Sequence, residues 1–349
     1  MKFGLGVFKG VDGWPQRWRR PASALSRALR PMITYWMRKK RQKIAYALQI
    51  SDQIPVVCIG NLVVGGSGKS PLVMSLALRL KDAGFSPGIV SRGFGGSVTN
   101  LPIEVTERSE PHIVGDEPLM LKIRTGCPVI VCRDRAKAVD RLCFHKRVDV
   151  VLADDGLQNT QLWRDLSVCV FNKQQGIGNG LEMPFGPLRE PLTVVDQLDA
   201  VVVCGTEYPK EMLIEMGVET TTPVFASASR MGYAYRSDSP NEHHRVTDLI
   251  DHGDFDAISG IASPGLFFEG LEQAGLSIKE YAFPDHHQFS RNELNLISSE
   301  KIILTTEKDF SRLNLVEHES LFYIPIKTKI HLQEKFENEI RIFLENFAF

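Results

Sequence analysis

The chain has 349 residues, 43% apolar and 24% charged, a balance that excludes both a disordered tract and a small disulfide-stapled module. At roughly 150 residues per domain the length favours two domains. The net charge of −1 hides an asymmetry, because residues 1–50 hold twelve Lys/Arg against the single acid Asp12, which leaves the remainder net acidic.

The basic start comes first. Between Gly13 and Ser51 there is no acid, while Arg17, Arg19, Arg20, Arg27, Arg30, Arg38, Lys39, Lys40, Arg41 and Lys43 supply ten cations. Leu25, Ala28, Leu29, Met32, Ile33, Trp36 and Met37 recur at three- and four-residue steps and predict an amphipathic helix. Pro31 either kinks that helix or starts a second one. Such a helix packs on its own domain or seeks an anionic partner, either a lipid surface or a nucleic-acid backbone. No apolar run approaches the ~20 residues that span a bilayer, and the start lacks the h-region of a secretory signal. The six cysteines form no C-x-x-C pair, and four lie in Val/Ile-rich runs, so they read as reduced, buried and cytosolic.

After Ile54, short apolar runs at 56–59, 88–90, 128–131, 148–153 and 166–171 alternate with helical stretches, the pattern of a parallel sheet covered on both faces. The run 200–204 is expected to end that sheet, with Gly205 closing it. Runs at 224–226 and 321–324 bracket a smaller α/β unit with strands at 256–259 and 302–305. The expected division is therefore a basic segment 1–50, a phosphate-loop domain 51–224 and a smaller α/β domain 225–349, with the last helix free to pack back on the larger domain.

The strand Val56-Val57-Cys58-Ile59 runs into a glycine-rich turn and a helix expected over 72–83, ended by Gly84. This is the layout of a triphosphate-binding loop, placing the fold in the P-loop NTPase-like class. Val63, Val64, Gly65, Gly66, Ser67, Gly68, Lys69 and Ser70 would surround the phosphates, with backbone N–H groups converging on oxygens, Lys69 on the β/γ-phosphates and the Ser70 hydroxyl on Mg²⁺. Pro71 suits the first turn of the helix. Val63 stands where the G-x-x-x-x-G-K-[ST] pattern has its first glycine.

Asp154 and Asp155 end the 148–153 strand, the place from which such proteins hold Mg²⁺ through a carboxylate or a water. Either of the two is open as the direct ligand. Guanine recognition is disfavoured, because Asn172-Lys173-Gln174-Gln175 lacks the Asp of N-K-x-D and Thr306-Glu307-Lys308-Asp309 has the wrong spacing, leaving ATP as the expected nucleotide.

Eight segments in one order then resemble a known family. They are Gly60-Asn61-Leu62 leading into 65–71; Ser91-Arg92-Gly93-Phe94-Gly95; Gly115-Asp116-Glu117-Pro118; Arg133-Asp134-Arg135; Asp154-Asp155-Gly156-Leu157-Gln158; Gly178-Asn179-Gly180 with Gly186-Pro187-Leu188-Arg189-Glu190-Pro191; Phe283-Pro284-Asp285-His286-His287; and Thr306-Glu307-Lys308-Asp309. Over nearly the whole chain the sequence resembles the tetraacyldisaccharide 4′-kinases of lipid A biosynthesis in Gram-negative bacteria. The resemblance implies Mg²⁺-dependent transfer of the ATP γ-phosphoryl group to the 4′-hydroxyl of a tetraacylated disaccharide 1-phosphate. Asn159 stands where the family typically has His, and Ser263 where it typically has Asn.

Phosphoryl transfer needs positioning and charge neutralisation more than covalent chemistry. Ser70, Asp154 or Asp155, and Glu117 are the expected Mg²⁺ set. Asp116 is either the base that takes the acceptor proton or an N-cap of the helix after Gly115. The resemblance implies that His286 assists Asp116 as a dyad. Arg92, Arg133, Arg135 and Arg189 are candidates for fork-like contacts to the substrate, or ordinary surface arginines, and Glu190 is a sugar-hydroxyl acceptor or an ion-pair partner of Arg189. Asn179 joins this set through the motif it belongs to.

Acyl chains in a bilayer would explain the basic start, with Trp14, Trp18 and Trp36 as interfacial anchors on the cytoplasmic leaflet of the inner membrane. The expected protein is peripheral there, with neither a nucleic-acid nor an obligate protein partner. The competing readings are a kinase of a soluble sugar and a nucleotide-switch ATPase or metallochaperone.

Overall fold

The computed structural model describes residues 18, 20–42, 54–66, 68–145, 148–159, 162–227, 233–236, 243–261, 264–284, 287, 289–290, 293, 302–313, 321–324 and 334–347. Trp14, Ser67, Ser263 and His286 lie outside them. The chain forms two compact units, one of Trp14–Ala228 with Lys329–Phe349 and one containing Ser229–Thr328.

The larger unit is built on an eight-stranded sheet. In chain order its strands are β1 (Val56–Gly60), β2 (Pro87–Ser91), β3 (Ile103–Val105), β4 (Val129–Val131), β5 (Val150–Asp154), β6 (Leu166–Asn172), β7 (Ala200–Cys204) and β8 (Val224–Ser227), arranged β3-β4-β2-β5-β1-β6-β7-β8. All neighbours are parallel except the edge strand β3, which runs antiparallel to β4. Burial on both faces explains why these strands read as unbroken Val/Ile/Leu runs. Along β1, Val57 and Ile59 enter one core and Val56 and Cys58 the other, the two-residue alternation of a strand.

Helices α2 (Lys69–Asp82) and α4 (Asp116–Thr125) cover the first face; the short α3 (Pro111–Val114) precedes α4. Helices α5 (Arg135–His145) and α6 (Pro209–Glu215), with a 3₁₀ turn at Leu192–Gln197, cover the second. β1 lies between β5 and β6, with β2 beyond β5, so the chain turns to opposite sides about β1. Ligands of open α/β sheets bind at the carboxyl ends of strands at such a switch.

Two boundaries differ from expectation. The sheet does not end at Cys204, because β8 pairs with β7 from Val201↔Val224 to Cys204↔Ser227, and a division at 224/225 would cut this strand. In sequence the apolar run 224–226 reads as the opening of the next unit. Helix α2 begins three residues before the expected 72, directly after Gly68 in the left-handed conformation (φ 87°).

Helix α1 (Ala24–Gln42) belongs to the larger unit and runs through Pro31 without interruption. Its apolar residues divide into two rows. Leu25, Met32, Tyr35 and Trp36 are exposed, whereas Leu29, Ile33 and Met37, at four-residue steps, are partly covered. No described helix is long and apolar enough to cross a membrane.

The smaller unit has strands β9 (Tyr233–Arg236), β10 (His243–Arg245), β11 (Asp254–Ser259), β12 (Ser277–Ala282), β13 (Ile303–Thr306) and β14 (Leu321–Ile324), ordered β10-β9-β14-β13-β11-β12. Helices α7 (Pro264–Gln273) and α8 (Glu307–Leu313) accompany them, and Phe267, Phe268 and Leu271 of α7 pack with Phe255 and Ala257 of β11. The last helix, α9 (Glu334–Phe347), returns to the larger unit. Its Phe336, Ile340 and Leu344 form one buried stripe, and the rings of Phe336 and Phe225 are 4.8 Å apart.

Candidate active site at the carboxyl edge of the larger sheet

The phosphate loop leaves β1 and is fastened before it reaches its lysine. Val63 is buried and forms an antiparallel bridge with Leu188, while Val64 N donates to the Pro187 carbonyl at 2.9 Å and Arg189 N to the Leu62 carbonyl at 2.7 Å. The missing first glycine thus has a local reason, since position 63 is extended backbone paired with the 181–190 turn and its side chain fills core. Asn61 Nδ2 donates to the Val63 carbonyl and Gln175 Nε2 to the Val64 carbonyl, the latter at 2.8 Å. Gly65 and Gly68 carry the positive φ angles of the turn (117° and 87°), and a side chain at Gly68 would also meet Cys204 Sγ at 3.0 Å.

Beyond the turn, Lys69 and Ser70 are the first residues of α2, both nearly buried. Ser70 Oγ donates to Glu117 Oε2 at 3.0 Å, joining the first turns of α2 and α4. Lys69 Nζ lies 3.7 Å from Asp155 Oδ1. Arg189 Nη1 donates to both Asp155 oxygens, at 2.7 and 2.9 Å, and approaches Gln158 Oε1 at 3.3 Å. Gln158 Nε2 in turn donates to the Asn61 carbonyl at 2.9 Å and to Glu190 Oε2 at 3.2 Å.

The two adjacent aspartates have opposite environments. Burial pushes the Asp154 carboxyl up to about 7, aided by the nearby negative charges of Glu117 and Asp155. Asp154 Oδ1 is buried and has no hydrogen-bond partner among the described residues. For Asp155, burial would raise the carboxyl, yet the Lys69 ammonium and the Arg189 guanidinium hold it below the usual range. Asp155 is also the one described non-glycine residue with a positive φ, 52°, a conformation that aims its side chain at these cations.

Asp116 is nearly buried and occupies the first helical position of α4, with Gly115 (φ 91°) as the capping residue. The N-cap alternative for Asp116 is thereby displaced by one residue. Gly115 is required by close packing, because a Cβ there would lie 2.7 Å from the Phe94 carbonyl oxygen. The glycine turn after β2, which carries Arg92, is thus pressed against the start of α4. Arg92 and Arg133 are exposed just past the carboxyl ends of β2 and β4, and Arg189 is half-buried against Asp155.

Two expected substrate contacts have other partners. Arg135 is 2% exposed, with Nη1 donating to the Cys132 carbonyl at 2.8 Å and Nη2 to the Asp154 carbonyl at 3.4 Å, so it braces the end of β5 from inside. Asn179 donates to the Phe185 carbonyl at 3.0 Å and accepts from Leu181 N at 3.2 Å, holding its own turn together. Sequence reasoning gave no site role to Asn61, Gln158 or Gln175. The first two sit inside quoted motifs; Gln175 carries no local signal.

In the smaller unit, the Thr306-Glu307-Lys308-Asp309 segment is a helix start. Asp309 N donates to Thr306 Oγ1 at 3.1 Å, and Asp309 Oδ2 accepts from Thr306 Oγ1 (2.7 Å), Gly260 N (3.0 Å) and Ser259 Oγ (3.2 Å). This is a reciprocal cap rather than a base-recognition element. His287 Nε2 lies 3.2 Å from Glu293 Oε1 and its ring stacks on Phe283.

A parallel sheet, a lysine-bearing loop after its central strand and an acidic pair at the end of the next strand define a P-loop nucleotide-binding protein. The donor set also fits Mg²⁺. The Ser70 hydroxyl, the Glu117 carboxylate it donates to, and the Asp154 carboxylate, which feels the Glu117 charge, are hard oxygens of the kind Mg²⁺ takes.

Comparison with known proteins carries this further. The family model for tetraacyldisaccharide-1-P 4′-kinase (LpxK) matches residues 19–345, and the chain belongs to that family. Tetraacyldisaccharide 4′-kinase of Dechloromonas aromatica is 40% identical over 278 residues, 79% of this chain and 80% of the relative. The protein of the same name from Coxiella burnetii is 34% identical over 340 residues, 95% of each chain. Among solved structures, LpxK from Aquifex aeolicus in complex with ATP matches with a TM-score of 0.71 at 29% identity, covering 92% of this chain and 99% of that one.

Proposed function

We propose that this chain is an ATP-dependent kinase that phosphorylates the 4′-hydroxyl of tetraacyldisaccharide 1-phosphate. The observation that carries the reading is the convergence of Lys69, from the phosphate loop, and Arg189 on Asp155 at the end of β5, next to the buried Asp154 carboxylate.

In the reaction, the 4′-oxygen forms a bond to the γ-phosphorus, the bond from that phosphorus to the β,γ-bridging oxygen breaks, and ADP leaves. Lys69 and the backbone of the 65–70 turn hold the β/γ-phosphates. Mg²⁺, when bound, neutralises charge on those phosphates, and Ser70, Asp154 and Glu117 are the residues that would hold it. Asp155, tied to Lys69 and Arg189, orients these two cations rather than taking the metal.

Asp116 accepts the 4′-hydroxyl proton. Arg92 and Arg133 would meet the anionic 1-phosphate, and Arg189 and Glu190 the sugar. The exposed row of α1, with Met32, Tyr35 and Trp36 beside its arginines, suits contact with the anionic cytoplasmic leaflet in which the acyl chains lie.

The test is transfer of label from ATP to the lipid acceptor with Mg²⁺, repeated with Lys69→Ala and Asp116→Ala. Both variants should lose transfer. Steady ATP hydrolysis indifferent to acceptor would instead favour a nucleotide switch, and full activity on a soluble sugar without detergent would overturn the lipid assignment.

A further inference from the structure

Glu182 has no place in the site described so far, yet its side chain is 1% exposed. Its carboxylate meets two residues of α1 placed four apart on one helix face, Arg30 Nε at 3.3 Å and Thr34 Oγ1, which donates to it at 3.3 Å. Nearby, Trp18 Nε1 donates to the Pro184 carbonyl at 3.3 Å.

The backbone of Glu182 faces the other way. It bridges to Leu188, and Leu188 also bridges to Val63 of the phosphate loop. Phe185 N and Gly186 N donate to the Glu182 carbonyl, closing the turn. Arg189, which follows Leu188, holds Asp155, which faces Lys69. A continuous set of contacts thus runs from the basic helix through one buried carboxylate to the phosphate-binding lysine.

We propose that Glu182 is a positioning residue that ties α1 to the phosphate loop, so that the placement of the helix and the Arg189–Asp155–Lys69 pairing depend on each other. The link to the lipid acceptor rests on the reading of α1 as the lipid-facing element; the link between α1 and the loop does not. A buried carboxylate deprived of its cation is strongly unfavourable, so the helix and the turn move together rather than separately.

The experiment uses the full chain with Glu182→Ala, the milder Glu182→Gln, Arg30→Ala and the Arg30→Ala/Glu182→Ala double variant. Glu182→Ala should speed amide exchange both in α1 and at Val63 and Val64. It should also raise KM for the lipid acceptor about tenfold, within the range of ordinary coupling between sites. Arg30→Ala should reproduce both effects, and the double variant should be no worse than the worse single, because both break one contact. If Glu182→Ala does not fold, Glu182→Gln and Arg30→Ala carry the same comparison.

Faster exchange confined to α1, with Val63, Val64 and KM unchanged, would overturn the proposal, as would effects that multiply in the double variant. Wild-type binding to anionic vesicles by a chain lacking residues 1–50 would sink the lipid-facing reading instead. In that case the coupled exchange would still support the helix-to-loop tie.

Discussion

The two sheets each end in a buried aspartate at their carboxyl edge, and the two aspartates are treated differently. Asp309 in the smaller unit is fully buried and accepts three hydrogen bonds on Oδ2, from a backbone N–H and two hydroxyls. Asp154 in the larger unit is equally sequestered, has an orphaned oxygen and stands beside two further carboxylates. A buried acid with a complete set of donors fixes backbone, whereas one surrounded by like charge and short of donors is set up to receive a cation.

The sharpest way to break this comparison is at the cation opposite it. Lys69→Ala should lower phosphoryl transfer by about 10³-fold, with a melting temperature close to the parent. A loss below tenfold in a labelled-ATP assay would mean that the lysine does not bear on the phosphates.

Next in size is Asp154→Asn, which should reduce transfer about 10²-fold and weaken the response to Mg²⁺. It should also change the pH dependence of folding. The Asp154 carboxyl sits near 7 in the folded chain, above its ordinary value of 3.8, so its contribution is most favourable below about 4 and is lost as pH rises towards and through 7. Denaturation in EDTA from pH 5 to 8 should show the parent losing stability with rising pH and Asp154→Asn losing less. Mg²⁺ should bind more tightly to the parent as pH rises through 7, because the ligand must be deprotonated.

Asp309→Ala should behave in the opposite sense, costing about 3 kcal/mol of stability in the smaller unit by stranding buried donors. Faster amide exchange at Ser259 and Gly260 would report it. A variant that kept its stability and lost activity as Asp154→Asn does would dissolve the distinction between the two edges.

The smallest expected effect is at Val63→Gly, which restores the usual loop glycine. Removing a buried side chain and freeing the backbone should cost about 2 kcal/mol, with KM for ATP rising only a few-fold. A gain in ATP affinity would argue that Val63 hinders the loop.

Much of this arrangement is legible in the sequence. Continuous apolar runs mark strands buried on both faces, and the glycine, lysine and serine spacing marks the phosphate loop, because both signals depend on adjacent residues. β8 escapes such reading because its membership depends on β7, and nothing in Val224-Phe225-Ala226 names its neighbour. The division of labour between Asp154 and Asp155 is equally invisible, since it depends on Arg189 arriving from a distant turn. Arg135 illustrates the reverse error, an arginine in a motif that looks available and is enclosed beneath β5.

The bridge between Val63 and Leu188 carries a consequence for biosynthesis. A ribosome that has released the chain only as far as β6 has delivered every glycine and the lysine of the phosphate loop, but not the turn that fixes where that loop begins. Such far-separated pairing forms late. ATP retention by stalled nascent chains of increasing length should therefore begin only once residues beyond Arg189 have cleared the exit tunnel.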